Sequence, residues 1–429
     1  MSLMLVFTRP NFPQHTPKEE ARLTPSQEDY FAVGTAPGPG ANPWNFWSIY
    51  DGHAGRHTAF LLQWTLHPNL SRALSNLSSA SNSSAIHATI KDVFLKLDND
   101  IMTRARHAAN WYPAANAAAI SALTPAFSGS CALLAAFDPE SNKLRVACVG
   151  DSRAVLGRWD EVEGKYTAQP LSVDQTGFNE SEYARIMDAH PDEPDIVDTK
   201  TGRLLGLAVT RAFGDHRWKW DNDFIKQLQL KFWGTAPRPN SKTPPYMDAE
   251  PVITETDIVR VDPAHAHAGK SDFMIMASDG LWDHISSAHA VECVESWLEA
   301  RTRGNGRVSA DPTLVRPVFN TSFALDAGVD FDVDKGEEVA WKAEPEFFAI
   351  EDDNAAVCLT RNAMGGTRRG LFIGLLSIPG PLSRMAVDDT TVMVVFFDRV
   401  GEVVKAGKAG KSAGSDAGKE KKKSLWWPW

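Results

Sequence analysis

Four short apolar segments, each with an aspartate at one end, constrain the fold of this chain most. Asp51 follows FWSIY, Asp151 follows LRVACVG and Asp279 follows FMIMAS, whereas Asp388 lies just before TTVMVVFF. Apolar runs of about five to eight residues bounded by turn residues are typical of buried strands. In antiparallel pairing, the end of one strand and the start of its neighbour share an edge. The sequence therefore predicts that the four carboxylates meet at one rim of a sheet or sandwich.

Such a rim predicts a site for hard metal ions, because crowded carboxylates repel one another unless cations neutralise them. All-oxygen ligation favours magnesium, manganese or calcium over zinc. Gly52 lacks a Cβ, so its carbonyl can serve as a further ligand, and His53 lies close enough to donate a proton to a leaving group. Two cations about 3.5–4 Å apart suit hydrolysis of a phosphate ester, which is the reaction we predict. Any one of these aspartates alone is more often a turn residue, and only the set supports the site.

Hydrophobic periodicity predicts the elements between these strands. Apolar residues at helical spacing predict a helix over residues 86–101, and residues 132–137 and 144–149 read as a hairpin. Asn179 is predicted to cap a helix, with Glu182 as its capping-box partner. Residues 69–85 read as a surface connection. Because short links join several strands, we expect an antiparallel α+β fold and not a Rossmann-type sheet.

Composition and charge exclude several classes of protein. The chain has 429 residues and a net charge of −10; its last 25 residues carry +5, which leaves −15 on the rest. A body this acidic is a poor nucleic-acid binder, because affinity for phosphate backbones needs clustered Lys and Arg. The chain contains no run of about 18 apolar residues, so no transmembrane segment is predicted. The four cysteines lie far apart without a CxxC pair, which argues against a zinc ribbon and a disulfide scaffold and favours a reducing compartment.

Seven segments, taken together, resemble a known family. They are YDGHAG, GSCALLAAFD, ACVGDSRAVLG, LSVDQTGFNESEYARI, LAVTRAFGD, ASDGLWD and DDTTVMVVFF. In this order they resemble the type 2C, metal-dependent serine/threonine protein phosphatases, over residues 26–398. The resemblance implies an α-β-β-α sandwich of two antiparallel sheets flanked by helices, with the metal site at one rim. We expect an N-terminal segment over residues 1–25, a catalytic domain over 26–400 with an irregular acidic insertion at about 301–353, and a disordered basic tail over 401–429.

The resemblance also implies roles for individual residues. Two divalent cations, Mg or Mn, and a weaker third would be held by a set of acidic residues and one glycine: Asp51 as the bridge, Gly52 through its carbonyl, Asp279, Asp388, the pair Glu28 and Asp29, and Asp151 with Asp283 at the third site. A metal-bridged hydroxide at Asp51 would attack phosphorus in line, His53 would protonate the leaving serine oxygen, and no phosphoenzyme would form. Because no part of this set is missing, the resemblance favours an enzyme over a non-catalytic docking module with the same fold.

The residue that grips phosphate is less evident. Many members of the family carry an arginine four residues before the glutamate of the acidic pair, and Thr24 stands there in this chain. Arg22 is close to that position, and a guanidinium suits bidentate contact with phosphate. Arg211 is a second candidate, for which a structural salt bridge is an equally good interpretation.

A narrower resemblance concerns the substrate. The segments RAFGDHRWKW, TPPYMDAEP and DDNAAVCLTRNAMGG resemble the pyruvate dehydrogenase phosphatase branch of the family. This implies action on phosphoserine of pyruvate dehydrogenase in the mitochondrial matrix. Residues 1–20 lack the basic, acid-poor pattern of a transit peptide, so the compartment rests on the resemblance. The alternative is a cytoplasmic phosphatase acting on a signalling kinase.

The basic tail is a separate feature. Lys419–Lys423 lie beside Trp426, Trp427 and Trp429, and basic and aromatic residues together favour membrane interfaces. The tail is therefore a candidate for contact with a membrane surface or a partner. A frayed segment in solution is the alternative.

Overall fold

The computed structural model describes residues 2–8, 28–261, 270–302, 326–332, 334–379 and 383–397. Within these residues, two antiparallel five-stranded sheets form the centre of the molecule. The first sheet contains, in spatial order, β13 (Val252–Asp257), β7 (Lys143–Val149), β6 (Ala132–Asp138), β3 (Trp44–Tyr50) and β2 (Tyr30–Ala36). The second contains β1 (Ser2–Thr8), β17 (Thr390–Phe396), β14 (Phe273–Ala277), β8 (Arg153–Asp160) and β9 (Lys165–Pro170).

Short ladders complete the β-structure. β5 (Gly129–Ser130) pairs with both β4 (Gly52–His53) and β12 (Phe213–Gly214). Two further hairpins are formed by β10 (Val197–Asp198) with β11 (Arg203–Leu204), and by β15 (Val329–Asp332) with β16 (Glu337–Trp341).

Helices cover the outer faces of both sheets. The first part of the chain supplies α1 (His57–Ser75), α2 (Ser83–Trp111), α3 (Ala117–Phe127), α4 (Glu180–Ala189), α5 (His216–Lys219) and α6 (Asn222–Phe232). The second part supplies α7 (Asp279–Trp282), α8 (Ser287–Thr302), a 3-10 turn (Pro345–Phe347), α9 (Ala355–Ala363), α10 (Arg369–Ser377) and α11 (Ser383–Ala386). No helix in the described ranges has the length and apolar character needed to cross a membrane.

The side chains of β3 show how the layers are built. Because successive side chains of a strand point to opposite faces, Phe46 and Tyr50 pack toward α1, α2 and α3, while Trp47 and Ile49 pack between the two sheets. On the far side, Ile275 and Val394 of the second sheet pack against α8 and α9. These layers confirm the predicted α-β-β-α sandwich.

Most elements predicted from the sequence are confirmed, including the strand before Asp51, the hairpin of β6 and β7, and the helix over 86–101. The predicted connection over 69–85 is wrong in its first half, because α1 continues to Ser75. Asn179 does cap α4 by accepting from the backbone N–H groups of Ser181 and Glu182. The side chain of Glu182 instead takes part in an ion pair that is described below.

The chain ends differ from the expected segments where the structure describes them. Residues 2–8, expected to belong to an N-terminal segment, form edge strand β1 of the second sheet. The insertion expected to be irregular contains the hairpin of β15 and β16. The expected basic tail over 401–429 lies outside the described residues.

Candidate metal centre and active site

The sheet registers bring the four strand-end aspartates to one rim. Asp51 directly follows β3, and Asp151 lies in the link that carries the chain from β7 in the first sheet to β8 in the second. Asp279 begins α7 just after β14, and Asp388 lies two residues before β17. Ala277, the last residue of β14, pairs with Val392 near the start of β17, so these two ends share the rim.

The contacts around Asp51 and Asp151 are short. The backbone N–H of Cys131 donates to the carbonyl of Asp51 at 2.8 Å, and the Cys131 thiol donates to Asp151 Oδ1 at 3.4 Å. One oxygen of each carboxylate and the Cys131 Sγ all lie within 4.8 Å of one another. In the sequence, Cys131 is one of four widely spaced cysteines without a CxxC pair, and no pattern there marks it as part of a site. The structure adds it to the wall of the site.

The electrostatics of the rim show how crowded the carboxylates are. Burial raises the pKa of Asp51 well above its usual value, and the charges of Asp279, Asp29, Asp151 and Asp388 raise it further. Burial likewise raises the pKa of Asp279, again with help from Asp151 and Asp388, and it raises the pKa of Asp151 to about 6. Divalent cations would relieve this repulsion, and oxygen donors of this kind suit Mg²⁺ or Mn²⁺. The residues therefore fit the expected metals.

The acidic pair near the N-terminus joins the same rim. Asp29 is buried, and its Oδ2 accepts from Ser278 Oγ and Thr391 Oγ1, each at 2.8 Å. Burial raises the pKa of Asp29 to about 7. Glu28 Oε1 accepts from the Gly55 backbone N–H at 2.9 Å. These contacts hold the segment before β2 against the loops that carry the strand-end aspartates.

Residue 52 must be glycine for a steric reason, in addition to its candidate role as a metal ligand. A Cβ at this position would lie 2.4 Å from the Glu28 carbonyl oxygen. Only glycine lets the backbone after Asp51 approach the acidic pair so closely.

His53 forms a short contact that the sequence did not reveal. Its Nε2 lies 2.6 Å from Oδ2 of Asp215, which is 2% exposed. Burial alone lowers the pKa of His53, but the Asp215 carboxylate, with smaller contributions from Asp151 and Glu28, outweighs burial and raises the pKa of this imidazole. Because a carboxylate accepts, Nε2–H donates to Asp215, and Nδ1 is the nitrogen left to serve a substrate. The signal was present in LAVTRAFGD, whose last residue is Asp215.

Neither of the two arginines predicted to bind substrate is placed by the structure at a substrate-binding position. Arg22 lies outside the described residues. Arg211 is nearly buried, and its Nη2 donates to Glu182 Oε1 at 2.6 Å while its Nη1 donates to the Glu250 carbonyl at 2.6 Å. The structure thus gives Arg211 the structural salt bridge that was the alternative interpretation.

Asp283, expected at a weaker third site, is exposed on the same rim. Surrounding atoms partly desolvate its carboxylate and raise its pKa, the charge of Lys342 lowers this pKa, and the charge of Asp388 raises it. The carboxylate of Asp283 therefore lies within the electrostatic field of the acidic centre. The Lys342 ammonium, on the segment that follows β16, donates to the Asp283 carbonyl. The described part of the insertion therefore reaches the site.

Comparisons with known proteins identify the family of this chain. The family model of Protein phosphatase 2C matches residues 22–315. A protein phosphatase 2C homolog of Schizosaccharomyces pombe is 36% identical over 364 residues, covering 83% of this chain and 74% of the relative. The mitochondrial [pyruvate dehydrogenase [acetyl-transferring]]-phosphatase 1 of Saccharomyces cerevisiae is 34% identical over 374 residues and covers 82% of this chain. This chain spans 62% of the length of that enzyme.

A solved structure is also similar. The crystal structure of a serine-threonine phosphatase 2C from Toxoplasma gondii covers 92% of this chain and 99% of its own, with a TM-score of 0.45 and 17% identity. The family model covers more than half of the sequence, and the relative from S. pombe exceeds one third identity over most of its length. The chain belongs to the protein phosphatase 2C family.

Proposed function

We propose that this protein is a metal-dependent serine/threonine phosphatase that removes phosphate from phosphoserine of pyruvate dehydrogenase. One observation carries the catalytic part: carboxylates from both sheets meet at one rim, beside a histidine that is hydrogen-bonded to a buried aspartate. Family membership supports the class of reaction.

The residues of the rim would divide the work as follows. The acidic set and the Gly52 carbonyl would hold the cations. The acidic set consists of Asp51, Asp279, Asp388, Glu28 and Asp29, with Asp151 and Asp283 at a weaker third position. When bound, Mg²⁺ or Mn²⁺ supplies charge neutralisation and an activated water. Asp215 keeps His53 protonated and oriented, and His53 Nδ1–H donates to the departing serine oxygen.

The choice of pyruvate dehydrogenase rests on similarity. The S. cerevisiae relative is named as a mitochondrial pyruvate dehydrogenase phosphatase, and the RAFGDHRWKW and TPPYMDAEP segments resemble that branch. By the same reasoning we place the protein in the mitochondrial matrix. A cytoplasmic phosphatase of a signalling kinase is the alternative. We also propose a catalytic domain over residues 26–400, whose second sheet is extended by β1 of the preceding segment. A basic tail that contacts a membrane surface or partner would follow it.

Two assays, carried out one after the other, test this function. Hydrolysis of an aryl phosphate is measured with Mn²⁺ or Mg²⁺ and with chelator, for the wild type and Asp51→Asn. Release of phosphate is then compared between phosphorylated pyruvate dehydrogenase and a phosphorylated signalling kinase. Absence of turnover in a folded sample that binds Mn²⁺ would favour the docking module. Turnover that prefers the kinase would replace the proposed substrate.

A further inference from the structure

Two arginines beside the His53–Asp215 pair have no acidic partner in the part of the chain that the structure describes. Arg217 lies in α5, two residues after Asp215, and Arg238 lies in the loop after α6. Neither forms a salt bridge there, and the Arg217 guanidinium forms no hydrogen bond there. The Arg238 guanidinium donates one hydrogen bond, to the Leu205 carbonyl. This differs from Arg211, whose charge is matched by Glu182.

Both guanidiniums are placed by one aromatic ring. The Cζ of Arg238 lies 3.7 Å from the centroid of the Trp218 ring, and the Cζ of Arg217 lies 5.9 Å from it. Trp218 is 6% exposed, and its Nε1–H donates to the Leu204 carbonyl at 2.9 Å, so the ring itself is fixed. Arginine stacks well on indole while its N–H groups remain directed outward in the plane of the guanidinium. The pair is therefore preorganised.

The two side chains keep unused donors. The Nε atom of each guanidinium is shielded from solvent and has no hydrogen-bond partner among the described residues. Shielded donors without partners leave each guanidinium charge poorly compensated, and an anion that accepts from the terminal nitrogens offsets this cost. Both residues are half-buried, so neither is fully enclosed by the fold.

The positive charges of Arg217 and Arg238 also favour a bound anion. The two cations lie near the same Trp218 ring, and burial together with the neighbouring Arg217 charge lowers the pKa of Arg238 to about 10. The Asp215 carboxylate stabilises both positive charges, but it already accepts a hydrogen bond from His53 Nε2–H. A bound oxyanion would offset the repulsion between the two arginines.

We propose that Arg217 and Arg238, held on Trp218, form an anion-binding subsite that takes an acidic group of the phosphoprotein substrate. The planar fork of arginine suits bidentate contact with phosphate or carboxylate oxygens. Two sources share this chemistry: the phosphoryl group that is hydrolysed, and an acidic side chain next to the phosphoserine. The subsite rests on the proposed phosphatase function, and it supplies the substrate contact that Arg211 does not make.

The test compares three substrates in the presence of Mn²⁺. They are an aryl phosphate, a phosphoserine peptide flanked by glutamates and the same peptide with alanines in their place. The variants are Arg217→Gln and Arg238→Gln, with Arg72→Gln as control. Arg72 is an exposed arginine in the last turn of α1, about 22 Å along the helix from its start near the site. Arg217→Gln removes no hydrogen bond within the described chain, so it tests the subsite even if Arg238→Gln folds poorly.

We expect kcat/KM to fall about 10- to 100-fold in both variants and to stay unchanged in the control, because a charge-assisted contact is lost. Loss confined to the glutamate-flanked peptide identifies the flanking side chain as the ligand. Equal loss on all three substrates identifies the hydrolysed phosphoryl group. Unchanged kcat/KM on all three, together with unchanged binding of the peptide in the measurement below, overturns the subsite.

A binding measurement separates this proposal from the proposed function. Fluorescence anisotropy of the labelled glutamate-flanked phosphopeptide is measured in chelator, where no turnover occurs. Weaker binding by Arg217→Gln than by the wild type supports the subsite even if the wild type hydrolyses nothing, in which case only the function fails. Equal binding by wild type and both variants, together with unchanged turnover, overturns the subsite while the function stands.

Discussion

His53 Nε2 and Asp215 Oδ2 lie 2.6 Å apart, although 162 positions separate the two residues in the chain. The contact is made possible by β5, which pairs with the strand that carries His53 on one side and with the strand before Asp215 on the other. Asp215 adopts a left-handed backbone conformation, with φ of 54°, as α5 begins. Backbone strain of this kind, in a residue that is not glycine, is typical of functional positions.

Replacing Asp215 by Asn should lower kcat by about 100-fold on a phosphoserine peptide, because His53 then loses the carboxylate that keeps it protonated. An aryl phosphate should be much less affected, since its phenolate leaves without a proton. KM should change little on both substrates. Steady-state kinetics on the two substrates measure this difference.

The same comparison has an internal control. His53→Ala should show the same dependence on the leaving group as Asp215→Asn, because both variants remove one proton donor. An equal loss of kcat on the peptide and the aryl phosphate in Asp215→Asn would show that Asp215 has only a structural role.

Replacing Gly129 by Ala should abolish most activity. A Cβ at this position would lie 2.1 Å from His53 Nε2 and 2.2 Å from Asp215 Oδ2, so the pair must separate. Gly34→Ala is the matched control, because a Cβ there meets nothing within 4 Å. Turnover of the phosphoserine peptide and circular dichroism are measured for both. A folded, fully active Gly129→Ala protein would contradict the arrangement of the site.

The ion pair of Glu182 with Arg211 should stabilise the fold in a pH-dependent way. Burial alone raises the pKa of Glu182, but hydrogen bonds from Arg211 and Arg185 outweigh it and lower this pKa to about 2. The stabilisation is therefore fully present above the unfolded pKa of about 4.3 and is lost as the pH falls toward 2. Arg211→Met should cost about 3–5 kcal/mol at pH 7, because it leaves a buried carboxylate without its main partner.

Urea unfolding at several pH values checks this prediction. Glu182→Gln should be less stable than the wild type at pH 7, and the difference should shrink as the pH falls from 4.5 to about 2. Glu163→Gln, which removes an exposed partner of Lys165, is the control and should change stability by less than about 1 kcal/mol. A Glu182→Gln protein as stable as the wild type at pH 7 would contradict the role of this pair.

The sequence predicted the parts of the fold and site that depend on local pattern. The apolar runs before Asp51 and Asp279 defined buried strands, and their aspartates marked strand ends that antiparallel pairing gathers at one rim. Family resemblance supplied the individual roles. The metal roles of these residues remain predictions.

The contacts that escaped prediction depend on distant parts of the chain. Nothing in the local pattern distinguishes Arg211, which pairs with buried Glu182, from Arg217, which keeps unused donors. The choice depends on which carboxylate the fold brings near. No local pattern marks Cys131, yet its position between β5 and β6 places its thiol against Asp151.

Titration of the protein with Mn²⁺ shows whether the carboxylates at the rim bind metal. Isothermal calorimetry follows binding to the wild type and Asp51→Asn, and hydrolysis of an aryl phosphate is measured in the same samples. We expect the wild type to bind Mn²⁺ and to hydrolyse the aryl phosphate only in its presence. Asp51→Asn should stay folded but lose tight binding and nearly all turnover, because Asp51 lies among the crowded carboxylates. Unchanged binding and turnover in Asp51→Asn would contradict the metal centre.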